Sequence, residues 1–380
     1  MQLIAKTFYG LEDILSKEIA GLGGTEILKL NRAVSFEGDL DLLYEANLRL
    51  RTALSILVPI YKFKVTGEKD LYEAISEINW IDYMSLQETF AINSVVNSPF
   101  FNHSKYVALK AKDAIVDQFR KNTGDRPSIN TTNPDLRINI HITNNQATLS
   151  LDSSGDSLHK RGYRKGRHAA PINEVLGAGL LLLAGFDGSK PFLDPMCGSG
   201  TILIEAAMIA HNIAPGKYRE KFGFQNWRNY DERLWAKIRS KVLGQEKEAA
   251  CRIVGSDISI NAIKSARINL AAAGFEDVLL SRKSFYDQKP SFENGVVVTN
   301  PPYGERLEVD DVIRLYKKIG DQFKQYYPGF EAWVLSSNIE ALKHLGLKTF
   351  KKYIVFNGAL ECRYHGYQLY KGSKKAKKQV

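Results

Sequence analysis

Apolar residues change their period near the middle of the chain, so the two halves read as different kinds of fold. In the first half, Leu11, Ile14, Leu15 and Ile19 fall on one face of a helix, Val34 and Phe36 alternate as a strand, and Leu40 to Leu48 returns to helical spacing. From Met1 to about Phe63 this alternation reads as a small α+β unit. A strand is expected over Thr89 to Val96, then a helix over Ser104 to Arg120 with Val107, Ala108, Ala111, Ile115 and Phe119 on one face. Ile138, Ile140 and Ile142 alternate next, Asn144-Asn145 supplies a turn, and Ala147, Leu149 and Leu151 alternate back. This predicts a hairpin.

From Ala170 onward helices alternate with short apolar strands, the pattern of a parallel sheet covered on both faces. The expected strands are Lys190 to Asp194, Arg252 to Asp257, Val278 to Arg282, Gly295 to Asn300 and Glu331 to Ser336. Tyr353 to Phe356 and Leu360 to Tyr370 flank Asn357-Gly358, a turn pair that tolerates the left-handed backbone of a two-residue hairpin. The second half is therefore α/β, a parallel sheet closed by an antiparallel terminal hairpin.

Composition narrows the class of partner. At 380 residues the chain is long enough for two or three domains. Its 52 Lys and Arg against 42 Asp and Glu give a net charge of +10, which favours a polyanion such as nucleic acid. Cys197, Cys251 and Cys362 lie far apart and are odd in number, so neither a disulfide framework nor a metal site is indicated. The start MQLIAKTFYG lacks a signal-peptide core, and the apolar run from Leu176 to Phe186 is too short to span a bilayer. A cytoplasmic location with no membrane partner is expected.

Three basic stretches qualify as polyanion contacts. Between the halves, Lys160, Arg161, Arg164, Lys165 and Arg167 surround Tyr163 with no acid among them, either as a solvated linker or as a phosphate-contacting junction with a ring for base stacking. From Ala214 to Leu243 basic residues interleave with Phe222, Phe224, Trp227, Tyr230 and Trp235, aromatics that serve either packing or nucleic acid. The tail carries Lys371, Lys374, Lys375, Lys377 and Lys378, a phosphate-binding arm or a solubilising end.

The chemistry concentrates at the expected strand ends. Asp194-Pro195-Met196-Cys197-Gly198-Ser199-Gly200-Thr201 is a strand end, a tight glycine turn and the start of a helix over Ile202 to Ala210. Such a loop lets backbone approach a ligand at the carboxyl edge of the sheet. Its spacing is neither that of a dinucleotide fingerprint nor that of a P-loop. Asp194 at its entrance would repel phosphate and suits a cationic ligand, of which S-adenosylmethionine, with an ammonium and a sulfonium, is one. Asp257, followed by Ile258, ends the next strand where an acid can accept ribose hydroxyls, and Asp287 follows the strand after that.

Asn300-Pro301-Pro302-Tyr303 is the most specific segment. Two prolines fix the backbone and remove two N–H donors, leaving carbonyls that form, with the Asn300 side-chain oxygen, a ridge of acceptors. An exocyclic base amine is a poor nucleophile because its lone pair is delocalised. Acceptors on its hydrogens localise that pair and aim it at a methyl group, and Tyr303 can stack on a flipped base.

Those motifs resemble the THUMP-containing class I methyltransferases, the group that includes bacterial 23S ribosomal RNA guanine-N2 methyltransferases of the RlmL type. The resemblance covers nearly the whole chain and implies a ferredoxin-like domain over 1–63, a THUMP RNA-binding domain over 64–158, a basic linker over 159–169 and a Rossmann-like methyltransferase domain over 170–380. It implies S-adenosylmethionine as cofactor, with Asp194, Pro195, Met196, Cys197, Gly198, Gly200 and Thr201 as its loop, Asp257 and Ile258 at the ribose and Asp287 at the adenine. Asn300, Pro301, Pro302 and Tyr303 become the target-amine motif, and Ala170-Pro171-Ile172-Asn173-Glu174 the helix start over the methionine end of the cofactor. It also turns Lys160, Arg161, Tyr163, Arg164, Lys165 and Arg167 toward RNA, with ribosomal RNA the expected partner.

Three other readings keep part of this picture. The same Asn-Pro-Pro-Tyr chemistry serves adenine N6 in DNA, but the first half shows no DNA-reading motif. A transfer-RNA guanine-N2 methyltransferase is a second variant, and a catalytically silent RNA-binding or ribosome-assembly factor is a third.

Overall fold

A computed structural model describes residues 1–165, 171–302 and 309–371. Arg167, Tyr303 and the tail lysines beyond Lys371 lie outside the described residues. The chain divides into two units, the first made of Met1–Thr7, Ser16–Lys160 and Arg219–Lys241, the second of Phe8–Leu15, Arg161–Tyr218 and Val242–Val380.

The first unit is built on strands β1 (Gln2–Lys6), β2 (Thr25–Leu30), β3 (Ala33–Glu37), β4 (Ser55–Lys64), β5 (Phe90–Asn97), β6 (Leu136–Thr143) and β7 (Gln146–Asp152). They form one seven-stranded sheet in the order β2-β3-β1-β4-β7-β6-β5. β4 lies between β1 and β7, with Ile4 opposite Leu57 on one side and Lys64 opposite Gln146 on the other. One sheet thus runs through residues 63 and 64, where the sequence suggested a boundary. The expected hairpin is β6–β7, and Asn144 turns it at φ +54, a left-handed conformation that Asn tolerates. The helix Ser104–Thr123 stops at Gly124, φ +79, and buries Val107, Ala111, Ile115 and Phe119 against Ile138, Ile140 and Leu149 of the sheet.

Residues Arg219–Lys241, encoded within the second half, complete this first unit. Phe224 stacks on Tyr44 at 4.4 Å between ring centroids, and Trp235 meets the edges of Tyr44, Phe222 and Phe224. Arg219 donates to the carbonyls of Ser154, Asp156, Ser157 and Lys160, closing the loop after β7. Of the two uses open to these aromatics, Phe222, Phe224 and Trp235 take packing, each less than a tenth exposed.

The second unit holds β8 (Phe192–Asp194), β9 (Ile253–Asp257), β10 (Leu279–Arg282), β11 (Gly295–Thr299), β12 (Phe330–Ser336), β13 (Thr349–Asn357) and β14 (Leu360–Gln368), in the order β10-β9-β8-β11-β12-β14-β13. The first five strands of that order are parallel, and β14 runs antiparallel to both β12 and β13. The strands expected from the apolar runs are all present, with β8 two residues shorter and β13 longer at both ends. From β8 the chain moves outward through β9 to β10, then returns to β11 on the other side. The crevice where that direction reverses, at the carboxyl ends of β8 and β11, is where open α/β sheets bind ligands. No helix among the described residues is long and apolar enough to cross a membrane.

Candidate cofactor and base-amine site

Three adjacent strands deliver the expected site residues to one edge of the sheet. Asp194 ends β8 opposite Gly255 of β9, Asp257 lies two residues beyond, and Asn300 follows β11 on the other flank of β8. The loop after Asp194 is held by a backbone network. Met196 N–H donates to Asp194 Oδ1 at 3.2 Å, Cys197 N–H to the Ser256 carbonyl at 2.9 Å and Gly198 N–H to Asp257 Oδ2 at 3.0 Å. Gly198 and Gly200 sit at φ +54 and +84, and a Cβ on Gly200 would come within 3.1 Å of the Ala266 methyl, so this turn demands glycine. Pro195, Cys197 and Thr201 are buried beneath it.

The two acids differ in environment. Asp257 accepts the Gly198 amide through one oxygen and the Ser259 amide through the other at 2.8 Å, which fixes its carboxylate plane. Asp194 is 1% exposed, and burial pushes its carboxyl up to about 8; the neighbouring Asp257 charge raises it too, while the Met196 amide opposes the rise. Unfolded, this carboxyl ionises near 3.8, so as pH rises the unfolded chain releases a proton that the folded one keeps. The stability it contributes is whole below about pH 4 and fades toward pH 8. Asp194→Asn should therefore melt higher relative to wild type at pH 8 than at pH 5 without cofactor; an equal difference at both pH values would show that Asp194 is not held neutral.

Ile258, 69% exposed, stands beside Asp257 as an apolar surface open to a ligand ring. Asp287 is exposed at the end of the turn Phe285–Asp287 after β10. Pro301 is buried and Pro302 exposed. The Asn300 side-chain oxygen is buried, with no hydrogen-bond partner among the described residues. A buried acceptor left without a donor costs about 1–3 kcal/mol, which a ligand N–H in that position would recover.

The junction residues separate into three groups. Arg161 and Tyr163 are 2% and 1% exposed. Arg161 spans both oxygens of Glu205 at 3.3 and 3.4 Å, and the Tyr163 hydroxyl donates to the same carboxylate at 3.4 Å. This corrects the expected RNA contact for both, because neither the guanidinium nor the ring reaches the surface. Arg164 donates to Glu174 Oε1 from Nη2 at 2.6 Å and from Nε at 2.9 Å, and to Thr201 Oγ1 at 3.1 Å. It therefore fastens the start of the helix Glu174–Leu183 to the glycine loop, and its charge is answered by a carboxylate. Lys160 and Lys165 keep exposed side chains.

Sequence reasoning passed over Glu205 and Asn269. Asn269, 1% exposed, donates to the Ser199 carbonyl and accepts the Lys165 amide, tying junction to loop. The available signal was one acid within the otherwise apolar helix Thr201–Ala210 and one Asn on the inner face of Ile260–Ala272.

A parallel five-stranded core, an antiparallel β14 inserted beside β12, a glycine loop after β8 and an acid ending β9 together define a class I, S-adenosylmethionine-dependent methyltransferase. Comparison with known proteins makes the assignment specific: residues 161–365 match the model of the RMKL-like methyltransferase domain, 65–152 that of the THUMP domain and 2–57 that of the RlmL ferredoxin-like domain. The chain belongs to the RMKL-like methyltransferase family. A putative RNA methyltransferase of Synechocystis is 38% identical to it over 95% of both chains. The ribosomal RNA large subunit methyltransferase K/L of Syntrophotalea carbinolica is 39% identical over 93% of this chain and 52% of its own length, so the chain spans about half of that relative. A crystal structure of a putative methyltransferase complexed with SAH aligns with a TM-score of 0.87 at 30% identity, covering 98% of this chain and 99% of the other.

Proposed function

We propose that this protein methylates an exocyclic base amine of structured RNA, with guanine N2 of 23S ribosomal RNA as the target. The observation that carries the reading is the buried Asn300 oxygen, without a hydrogen-bond donor among the described residues, at the sheet edge where Asp194 and Asp257 also end their strands. S-adenosylmethionine, when bound, supplies an electrophilic methyl on a sulfonium. Its fit rests on this chain's own groups: backbone that comes close at Gly198 and Gly200, the oriented acceptors of Asp257, and exposed Ile258. Pro195, Met196, Cys197 and Thr201 shape the loop, and Asp287 is assigned to the adenine.

Asn300 and the carbonyls beside Pro301 and Pro302 hold the amine and draw its lone pair toward the methyl, while Tyr303 stacks on the base. Proximity and amine polarisation supply the acceleration, and the proton leaves after the methyl has moved. The first-unit domains bring RNA: residues 1–63 as the ferredoxin-like part and 64–158 as the THUMP domain, with the linker over 159–169 leading to the methyltransferase domain over 170–380. Lys160, Lys165 and Arg167 remain the junction's candidates for phosphate contact.

Mass spectrometry of ribosomal and transfer RNA nucleosides, from cells with and without the gene, tests the substrate. The expected result is loss of N2-methylguanosine at one ribosomal position; loss confined to transfer RNA, or to N6-methyladenine in DNA, would overturn it. The cofactor assignment has its own check. Asp257→Ala should weaken S-adenosylmethionine binding, each lost ribose hydrogen bond contributing about 0.5–1.5 kcal/mol. Unchanged affinity by calorimetry would remove Asp257 from the ribose.

A further inference from the structure

Of the helix Glu232–Leu243, the part up to Lys241 belongs to the first unit, with Trp235 and Ile238 both less than a tenth exposed. Away from those two, Arg233 and Lys237 share the outward face, Arg239 lies on the flank of the helix and Arg228 in the turn before it, all four exposed and none with a carboxylate partner among the described residues. Lys241, on the same helix, differs, because Glu45 answers it at 3.2 Å. These four exposed positive charges, on the outward ridge of the helix and beside it, raise the local potential that an approaching polyanion meets. Arg233 and Lys237 lie one helical turn apart, about 6 Å along the axis, the scale on which phosphates follow one another along a strand.

We propose that this ridge is a contact surface for the RNA backbone, built into the first unit by a segment encoded inside the methyltransferase half. The inference rests on the RNA reading above and adds a surface to it. An anionic lipid surface is the poorer partner, because an interfacial helix needs a free apolar face and this one is spent on Tyr44, Phe222 and Phe224. The contact is electrostatic, positioning the RNA without reading its sequence.

The test uses the full chain and an unmodified 23S ribosomal RNA transcript, with binding measured over a series of salt concentrations. The combined variant Arg228→Gln, Arg233→Gln, Lys237→Gln and Arg239→Gln should bind roughly tenfold more weakly or worse at low salt. Its plot of log affinity against log salt should be shallower by about three, close to one unit per lost phosphate contact. Lys237→Glu alone should move both readings the same way, whereas Lys343→Gln, whose partner is Glu340 at 2.6 Å, should move neither. Cofactor affinity and melting temperature should stay put in every variant. A wild-type protein that fails to bind the transcript would overturn the RNA reading and the surface with it. Wild-type binding that the combined variant reproduces in affinity and slope would overturn the surface alone. Loss of binding to phosphatidylglycerol vesicles with RNA binding intact would reassign the ridge to lipid.

Discussion

Asn300→Ala should lower kcat by a factor on the order of 10²–10³ while leaving S-adenosylmethionine affinity and thermal stability close to wild type. The size follows from what the side chain is asked to do. Its oxygen is already out of water and has no donor among the described residues, so there is little to reorganise when an amine hydrogen arrives. The interaction strengthens as nitrogen gains positive charge, so the loss falls on the chemical step rather than on ground-state binding. Single-turnover transfer of a radiolabelled methyl group to RNA lacking the modification measures it. A folded Asn300→Ala protein with near-normal turnover would remove the central claim and leave a silent RNA-binding factor as the better description.

Glu205→Ala should destabilise the methyltransferase unit by about 3–5 kcal/mol, the usual cost of stripping one partner from a buried ion pair. Arg161 and Glu205 are both almost fully buried, and Tyr163 leans on the same carboxylate. Removing Glu205 deprives the Arg161 guanidinium of its carboxylate in a place water does not reach. Replacing the cluster together, Arg161→Met with Glu205→Leu and Tyr163→Phe, should recover most of the loss, because apolar side chains of similar size carry no desolvation penalty and no hydroxyl is left without its acceptor. Urea unfolding of the three proteins decides the matter. A single variant within 1 kcal/mol of wild type would mean that the pair is solvated in solution.

The strands of the second unit were readable because each is a short apolar run ending in a chemically marked turn: Asp194 at the glycine loop, Asp257 before its helix, Asn357-Gly358 in the hairpin. The first unit was harder. β2 is an exposed edge strand whose residues show no burial alternation, and β4 contains Pro59, which argues against a strand until one sees that the register shifts between Pro59 and Tyr61. Among site residues, those positioned by their own strand end were legible. Arg161 and Tyr163 were not: a run of five basic residues reads as surface, and the carboxylate that buries them lies 44 and 42 residues away along the chain. Local composition reports what a side chain can do, whereas burial depends on what the fold brings to meet it.

That the aromatic cluster around Tyr44 takes Phe224 and Trp235 from the second half sets an order of events during synthesis. A nascent chain that ends at Lys160 contains all seven strands of the first sheet but lacks the rings that pack on Tyr44. At about 5–20 residues per second the ribosome needs several more seconds to deliver them. Once the glycine loop and its apolar helix have emerged, they too wait for β9. A nascent-chain binder such as a chaperone would find its longest opportunity there, and a stop codon placed anywhere between Tyr163 and Trp235 should yield a fragment prone to aggregation or proteolysis rather than a free-standing RNA-binding module.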